Sequence, residues 1–429
     1  MQVVALGAGE MGRWAAQAVL LDKRVEQVVL ADLDGEAAEQ VAAGLGSRAR
    51  PAQVDVRDAA KLRALLESAD VVMNTVGPFY RFGVPILRAA IEARCTYLDI
   101  CDDWEPTLEM LSLDAEARKA GVTAVIGLGA SPGLSNLLAV KALRALDRIE
   151  SIFTVWSLDG AVSEPAPSGV PTRRRGGPSA AMVHGVHQMT GHIRSVEDGR
   201  EQPRRPLRRF AIDYPGLGRR HVWSIGHPES VTLPRVFPQL RCSTNAMFSA
   251  PSTIRLLRAL MLLVDLRLAS EERVAAWIER IERSRPVTTP LSWVGKGAPS
   301  PIQLPPLFAL AVGRRNGQPA CAAVALTAAP PGGMGAITGI PLALGVSLVA
   351  DGALDRAGVF APEAIVEPDA LLAKLLPFCE PQVRNPDDLA LMTTSWQDTQ
   401  LADALQRVWA QLPAAEQSVS PGAQENARG

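Results

Sequence analysis

A strand, a glycine string and a helix at the start of this chain constrain its fold more than anything that follows. Gln2–Leu6 is a short apolar run, and Gly7-Ala8-Gly9-Glu10-Met11-Gly12 continues it with the spacing GxGxxG. Asp32 closes the next β-branched run, Gln27–Asp32. In a chain with 35 glycines the string alone means little. Set between a strand and a helix, with an acidic residue at the end of the second strand, it reads as a dinucleotide-binding βαβ unit. Gly7 permits the tight turn, Gly9 lets backbone approach a pyrophosphate, and Gly12 lets helix and strand pack closely. Glu10 and Met11 open a helix whose unpaired N–H groups and positive end favour phosphate. Asp32 is placed to accept hydrogen bonds from both adenosine ribose hydroxyls and to repel a 2′-phosphate. No arginine follows it closely, so NAD is expected over NADP, unless Arg13 or another basic residue folds in to reverse the preference.

The strand–helix alternation continues. After the helix Met11–Leu21 come Gln27–Asp32 and Glu36–Ala43, Ala52–Val56 and Ala59–Ala69, Asp70–Val76 and Val84–Ala93, Thr96–Ile100 and Glu105–Ala120, and finally Val122–Leu128. This pattern predicts an α/β doubly wound parallel sheet, a Rossmann domain over residues 1–130. Ligands bind such sheets at the carboxyl ends of the strands. That places Asp55 and Val56 near the adenine. Asn74, Thr75, Gly77 and Pro78 fall beside the nicotinamide ribose, and the turn Gly77–Gly83 reads as open. From residue 131 to about 340 the chain reads as an α+β domain, with a helix from Leu134, a strand over Ser151–Leu158 and a helix over Ser179–Ile193. Pro165–Pro178 reads as a mobile loop and residues 413–429 as a disordered tail. Beyond the N-terminal run, Leu256–Ala269 reads as the most apolar long stretch; it carries Arg258, Asp265 and Arg267 and is expected to be a core helix rather than a membrane span.

A formal net charge of −1 gives no reason to expect nucleic acid or an anionic membrane as a partner. Five scattered cysteines without a CxxC pair suit a reducing, cytoplasmic setting and offer no metal site. His184 and His187 are three residues apart with His192 following, but further ligands are not apparent, so solvated or core-satisfied histidines are expected.

Several unusual strings occur in the order found in the saccharopine dehydrogenase-like family, and the chain resembles that family, nearest its lysine 6-dehydrogenase branch. They are Gly7–Gly12, Asn74-Thr75-Val76-Gly77-Pro78-Phe79, Tyr97-Leu98-Asp99, Gly127-Leu128-Gly129-Ala130-Ser131-Pro132-Gly133-Leu134-Ser135-Asn136 and His227-Pro228-Glu229-Ser230-Val231-Thr232-Leu233-Pro234. Thr338-Gly339-Ile340-Pro341 follows, with Gly358-Val359 and Ala361-Pro362-Glu363. The resemblance implies that C-terminal helices, residues 341–412, return to complete the Rossmann domain. It implies that the inserted mixed-sheet domain, 131–340, carries the substrate and much of a homodimer interface. It also implies NAD(P)-dependent chemistry at a C–N bond of a small amine or imine. Two other readings stay open: a transferase or lyase using tightly bound NAD transiently, as homospermidine-forming relatives do, and a non-catalytic dinucleotide-binding regulator.

Hydride transfer needs no nucleophile; the protein must orient the substrate and manage a proton. Tyr80 is a candidate proton donor or else a packed aromatic. Asp99 and Asp103, with Asp102 between them, could hold a cationic nitrogen; Asp99 could instead be structural and Asp103 an N-cap. His227 suits proton exchange near neutrality. Phe79, Ser131 and Arg235 are candidate substrate contacts, Arg235 through a bidentate grip on a carboxylate. The Arg173–Arg175 loop and the basic stretch Arg204–Arg209 could attract an anion, close as a lid, or be solvated.

Overall fold

The structure, a computed structural model, describes residues 1–158, 177–283 and 304–394. The Arg173–Arg175 loop, the larger part of the Pro165–Pro178 segment and the expected tail lie outside these residues.

The chain opens with β1 (Gln2–Leu6), α1 (Glu10–Val19), β2 (Gln27–Asp32), α2 (Gly35–Leu45), β3 (Ala49–Gln53) and α3 (Ala59–Leu66). It continues with β4 (Val71–Asn74), α4 (Phe79–Ala93), β5 (Thr96–Asp99), α5 (Trp104–Leu111), α6 (Asp114–Ala120) and β6 (Thr123–Val125). These strands are parallel in the order β6-β5-β4-β1-β2-β3, so the winding reverses between β1 and β4. Helices cover both faces, which is why Val3-Val4-Ala5-Leu6 is a continuous buried run rather than an alternating one. Two boundaries differ from expectation. β3 ends at Gln53, which leaves Asp55 and Val56 in the following loop. α4 begins at Phe79, so the supposedly open turn through Gly83 is its first turns.

The second domain runs through α7 (Leu134–Arg144), β7 (Arg148–Ser157), α8 (Ala180–His187), β8 (Ile193–Glu197), β9 (Arg200–Arg204), β10 (Arg209–Tyr214) and β11 (Gly218–Ser224). Then come α9 (Glu229–Val236), β12 (Cys242–Phe248), α10 (Pro251–Asp265), α11 (Glu271–Arg283), β13 (Leu307–Arg315) and β14 (Gln318–Leu326). Its sheet is mixed, with β7 parallel to β12 and antiparallel to β13. The expected helix to Ile193 stops at His187, because Ile193 begins β8. α10 is a surface helix, not a core one. Ile254, Leu257 and Met261 are buried, while Leu262 and, just past the helix, Leu266 and Leu268 are exposed.

α12 (Gly333–Ala350) is the most apolar long helix, with a mean hydropathy of 1.7 over 18 residues, and it is two-thirds buried. Length and composition alone would let it cross a membrane; here it packs along α1. A Cβ on Gly339 would lie 2.4 Å from the Met11 carbonyl oxygen, so the missing side chain sets that close approach. β15 (Gly358–Phe360) then adds a seventh parallel strand beside β6, followed by α13 (Pro368–Leu375), α14 (Pro386–Leu389) and β16 (Ala390–Thr393). The return is therefore not made of helices alone. β16 pairs with β14, so the described chain ends in the second sheet. One apolar core runs from Val3, Leu30 and Leu98 to Ile152, Ala309 and Val324, so both sheets contribute to it.

Candidate active site

The glycine string folds into a loop closed on one side and open on the other. Gly7 has φ +99°. A Cβ there would meet Thr75 Oγ1 at 2.5 Å, and one on Gly12 would meet the Gly7 carbonyl oxygen at 1.9 Å. At Gly9 a Cβ would find nothing within 4 Å. Gly9 is the N-cap of α1 and supplies no side-chain cap, so the first-turn N–H groups at Glu10 and Met11 face that open side. This is a cradle that fits a pyrophosphate. Asp32 is pinned beside it, its carboxylate accepting from Ala8 N at 2.7 Å and Asp34 N at 2.9 Å. Thr75 donates to the Leu6 carbonyl at 2.8 Å and buttresses the loop. Asp55 is ion-paired to Arg57 at 2.6 Å beyond the end of β3, and Val56 is half-buried beside it.

Asn74 and Asp99 are turned inward. Asn74 Nδ2 donates to the Tyr97 hydroxyl at 2.9 Å, and that hydroxyl donates to Asp99 Oδ2 at 2.7 Å. Asp99 Oδ1 accepts from Cys101 N and Gly127 N at 2.9 and 2.7 Å. The three side chains strap together the ends of β4, β5 and β6 and set the loops after them. Burial pushes the Asp99 carboxyl up to about 6, against these hydrogen bonds. Asp99 thus serves the structural role considered for it, with both oxygens engaged.

Past β5 the chain turns outward, and α8 of the second domain lies over it. His184 is buried with Nδ1 at 2.6 Å from Asp103 Oδ1 and Nε2 at 2.8 Å from Asp102 Oδ2. Asp103 occupies the N-cap position of α5, yet its side chain makes no cap bond and points to His184 instead. Burial opposes the His184 imidazolium, but the two carboxylates outweigh it and raise its pKa to about 10. Burial likewise opposes Asp103 ionisation, and His184 outweighs it to hold the carboxyl below its usual range. One turn on, His187 bonds Glu271 at 3.0 Å, and its ring lies 5.3 Å from that of Tyr80. Tyr80 is half-buried, and burial raises its pKa. Asp102, Asp103 and His184 carry donor atoms of the types that bind a metal, all within 4.8 Å. His184 Nδ1 is hydrogen-bonded to Asp103, while Nε2 is in ion-pair contact with Asp102 without an aligned hydrogen bond.

A second buried network adjoins the first. The ring of His227 is 6.0 Å from that of His184, its Nε2 faces Gln188 Oε1 at 2.8 Å, and its Nδ1 faces Ser131 Oγ at 3.2 Å. Ser131 and Ser135 both donate to Glu229 Oε1, at 2.6 and 2.5 Å. Asn136 Nδ2 donates to Glu363 Oε2 at 2.7 Å, and its Oδ1 accepts from Gly133 N at 2.8 Å. Burial works against the Glu229 carboxylate, but His227, Ser131 and Ser135 hold it ionised. Glu363 has less support, and burial raises it from 4.5 to about 7. A carboxyl raised on folding stabilises fully below pH 4.5, and that contribution is lost as pH rises through 7. Glu363→Gln keeps an acceptor for Asn136 and removes the titration. Urea unfolding at pH 5 and 8 should show the wild type losing about 3 kcal/mol more than the variant between those values. Equal slopes would mean that Glu363 does not titrate in this range.

Arg235 does not join either network. It is exposed near the far end of α9, and its Nη1 donates to the Val231 carbonyl at 2.9 Å. Phe79 is buried in the core beside Gly83 and Met110. Of the basic stretch, Arg204 and Arg208 pair with Glu197 on the β8–β9 hairpin. His184, expected from the sequence to be solvated or core-satisfied, has a role in the cluster that the sequence does not show. Its partners Asp103 and Asp102 lie 81 and 82 residues away, and its helical spacing to His187 is the one local signal. Glu363 and Gln188 were missed for the same reason.

Residues 3–125 match the saccharopine dehydrogenase NADP binding domain, and residues 129–376 match the saccharopine dehydrogenase C-terminal domain. The chain is 24% identical over 399 residues to a carboxyaminopropylagmatine dehydrogenase of Synechocystis sp., covering 87% of this chain and 95% of that one. It is 28% identical over 170 residues to a saccharopine dehydrogenase [NADP(+), L-glutamate-forming] of Pyricularia oryzae, covering 39% and 36% of the two chains. Among solved structures it superposes on the apo saccharopine dehydrogenase (L-Glu forming) of Saccharomyces cerevisiae with a TM-score of 0.58 at 17% identity. That match covers 92% of this chain and 99% of the other.

Proposed function

The chain belongs to the saccharopine dehydrogenase family, and from that membership and the site geometry we infer an NAD(P)-dependent oxidoreductase acting on a C–N bond of a small amino compound. We propose that it reduces an imine or oxidises the corresponding amine. The observation that carries this reading is the Asp102–His184–Asp103 cluster, roofed by α8 over the carboxyl ends of β4 and β5. The nicotinamide, when bound, supplies or accepts the hydride at the substrate carbon. The chain's own groups favour a cationic nitrogen: among the described residues, Asp102, Asp103, Glu105 and Glu271 gather around His184 and His187.

The test follows absorbance of the reduced nicotinamide with a panel of amines and diamino acids in one direction and cyclic imines in the other. Turnover in either panel is expected, and silence in both would remove the reading.

We propose NAD as the preferred cofactor, although the family's domain carries an NADP-binding description. Among the described residues no cation is bonded to Asp32, which accepts from two backbone amides, and a 2′-phosphate would meet its charge. Calorimetric titration should find NAD bound at least about tenfold more tightly than NADP. Asp32→Ser should weaken NAD by about tenfold, the size of one charge-assisted hydrogen bond. A wild-type preference for NADP would overturn the assignment. A cytoplasmic homodimer belongs to the same reading: all five cysteines are free, and Leu262, Leu266 and Leu268 offer an apolar face.

A further inference from the structure

We propose that His184 is the proton reservoir of the C–N redox step and that Asp102 carries its proton to and from the substrate nitrogen, with Asp103 as the positioning residue behind it. This deepens the functional reading above and rests on it.

Each ring nitrogen of His184 faces a carboxylate oxygen, Asp103 at 2.6 Å and Asp102 at 2.8 Å. A carboxylate can only accept, so Nδ1, hydrogen-bonded to Asp103, carries a proton; Nε2 lies in ion-pair contact with Asp102 without an aligned hydrogen bond, and the two anions favour the imidazolium form. The two anions differ. The Asp103 side chain is 1% exposed and the Asp102 side chain 30%, so Asp102 is the member a substrate can reach. Asp103 Oδ2 is buried with no hydrogen-bond partner, which leaves its charge directed at His184. The histidine comes from the substrate domain and the carboxylates from the nucleotide domain, so the clamp exists only where the two meet.

In the reducing direction, hydride reaches the imine carbon from the nicotinamide, which is oxidised. The C=N π pair moves to nitrogen. The Nε2 proton of His184 passes to the Asp102 carboxylate and on to that pair, giving the amine and neutral His184, which solvent reprotonates. In the oxidising direction the nitrogen gives a proton back through Asp102 to neutral His184. The charged groups around the ring are Asp102 and Asp103 from the loop after β5, Glu105 from α5, His187 from α8, Glu271 from α11 and His227 from the segment before α9.

Two measurements test this. The first, on the full chain without cofactor, is side-chain nitrogen NMR of the histidines against pH. His184 should stay doubly protonated to about pH 10, and Asp103→Asn should lower its titration by at least about one pH unit. A singly protonated His184 at pH 8 overturns the proposal. The second is imine reduction with 1-piperideine as probe. His184→Asn and Asp102→Asn should each lower kcat by about a hundredfold or more with KM little changed. In Asp103→Asn the alkaline fall in kcat should move to lower pH. Circular dichroism and dinucleotide titration report whether each variant folds, and Asp102→Asn, altering the more exposed member, decides the matter if His184→Asn does not. If the wild type turns over while both variants keep kcat within about threefold, the proposal fails and the functional reading stands. If the wild type is silent on 1-piperideine and on the whole panel, the functional reading fails and this assignment with it. If only 1-piperideine is silent, the variants are measured on the panel member that is turned over.

Discussion

Gly12→Ala should abolish most dinucleotide binding. Its Cβ would lie 1.9 Å from the Gly7 carbonyl oxygen and 2.7 Å from Thr75 Oγ1, far inside contact distance. Neither neighbour yields easily. Gly7 N is bonded to the Ala31 carbonyl at 2.8 Å, and Thr75 Oγ1 to the Leu6 carbonyl at 2.8 Å. The loop must open, and with it the row of N–H groups at the start of α1. Overpacking of this kind costs roughly 1–3 kcal/mol. Since binding requires the closed loop, affinity should fall by about tenfold to a hundredfold or more. Gly9→Ala is the matched comparison. Its Cβ meets nothing in the protein within 4 Å, so stability should hold while the side chain stands where the pyrophosphate would lie. Fluorescence titration of the reduced dinucleotide, with thermal unfolding of each variant, reads both effects. Gly12→Ala binding like the wild type would mean that this loop does not hold the phosphates.

Glu229→Ala should be the most destabilising of the site substitutions considered. Glu229 is fully buried, and one of its oxygens accepts from both Ser131 and Ser135. Its other oxygen is 3.6 Å from His227 Nδ1. Truncation leaves two buried hydroxyls without their acceptor and removes the carboxylate beside His227, at the junction of α7, α9 and the turn holding Glu363. Removing one partner of such a buried charged group costs about 3–5 kcal/mol. Glu229→Gln keeps the shape and one acceptor and should cost markedly less. Urea unfolding of both variants gives the comparison, and a loss under about 1 kcal/mol for the alanine variant would show that this network does not hold the domains together.

The nucleotide half was legible because its signals are local. A short continuous apolar run, a glycine turn and a helix fall within thirty residues, and β1 and β2 lie where the pattern puts them. The misses there have local causes. Pro51 and the polar residues of β3 obscured an edge strand, and Pro85 inside α4 hid a helix that begins at Phe79. In the C-terminal part, β15 has three residues and β16 four, too few for any periodicity to show. Candidate carboxylates could be placed at a strand end from topology alone, which brought Asp99 and Asp103 into view. Only the folded chain separates them: Asp99 turns back to Tyr97 and two amides, while Asp103 turns to a histidine on another domain. Long-range pairings such as Asp103 with His184 and Asn136 with Glu363 have no sequence period.

The central claim is hydride transfer between a nicotinamide and a carbon bonded to nitrogen. Its most direct measurement uses reduced dinucleotide deuterated at C4, incubated with the protein and the cyclic imine or amino compound that the panel identifies, followed by mass spectrometry of the product. The account predicts one deuterium, on the carbon bearing the nitrogen and from one face of the nicotinamide only. Product without deuterium at that carbon, or label at a carbon not bonded to nitrogen, would contradict it.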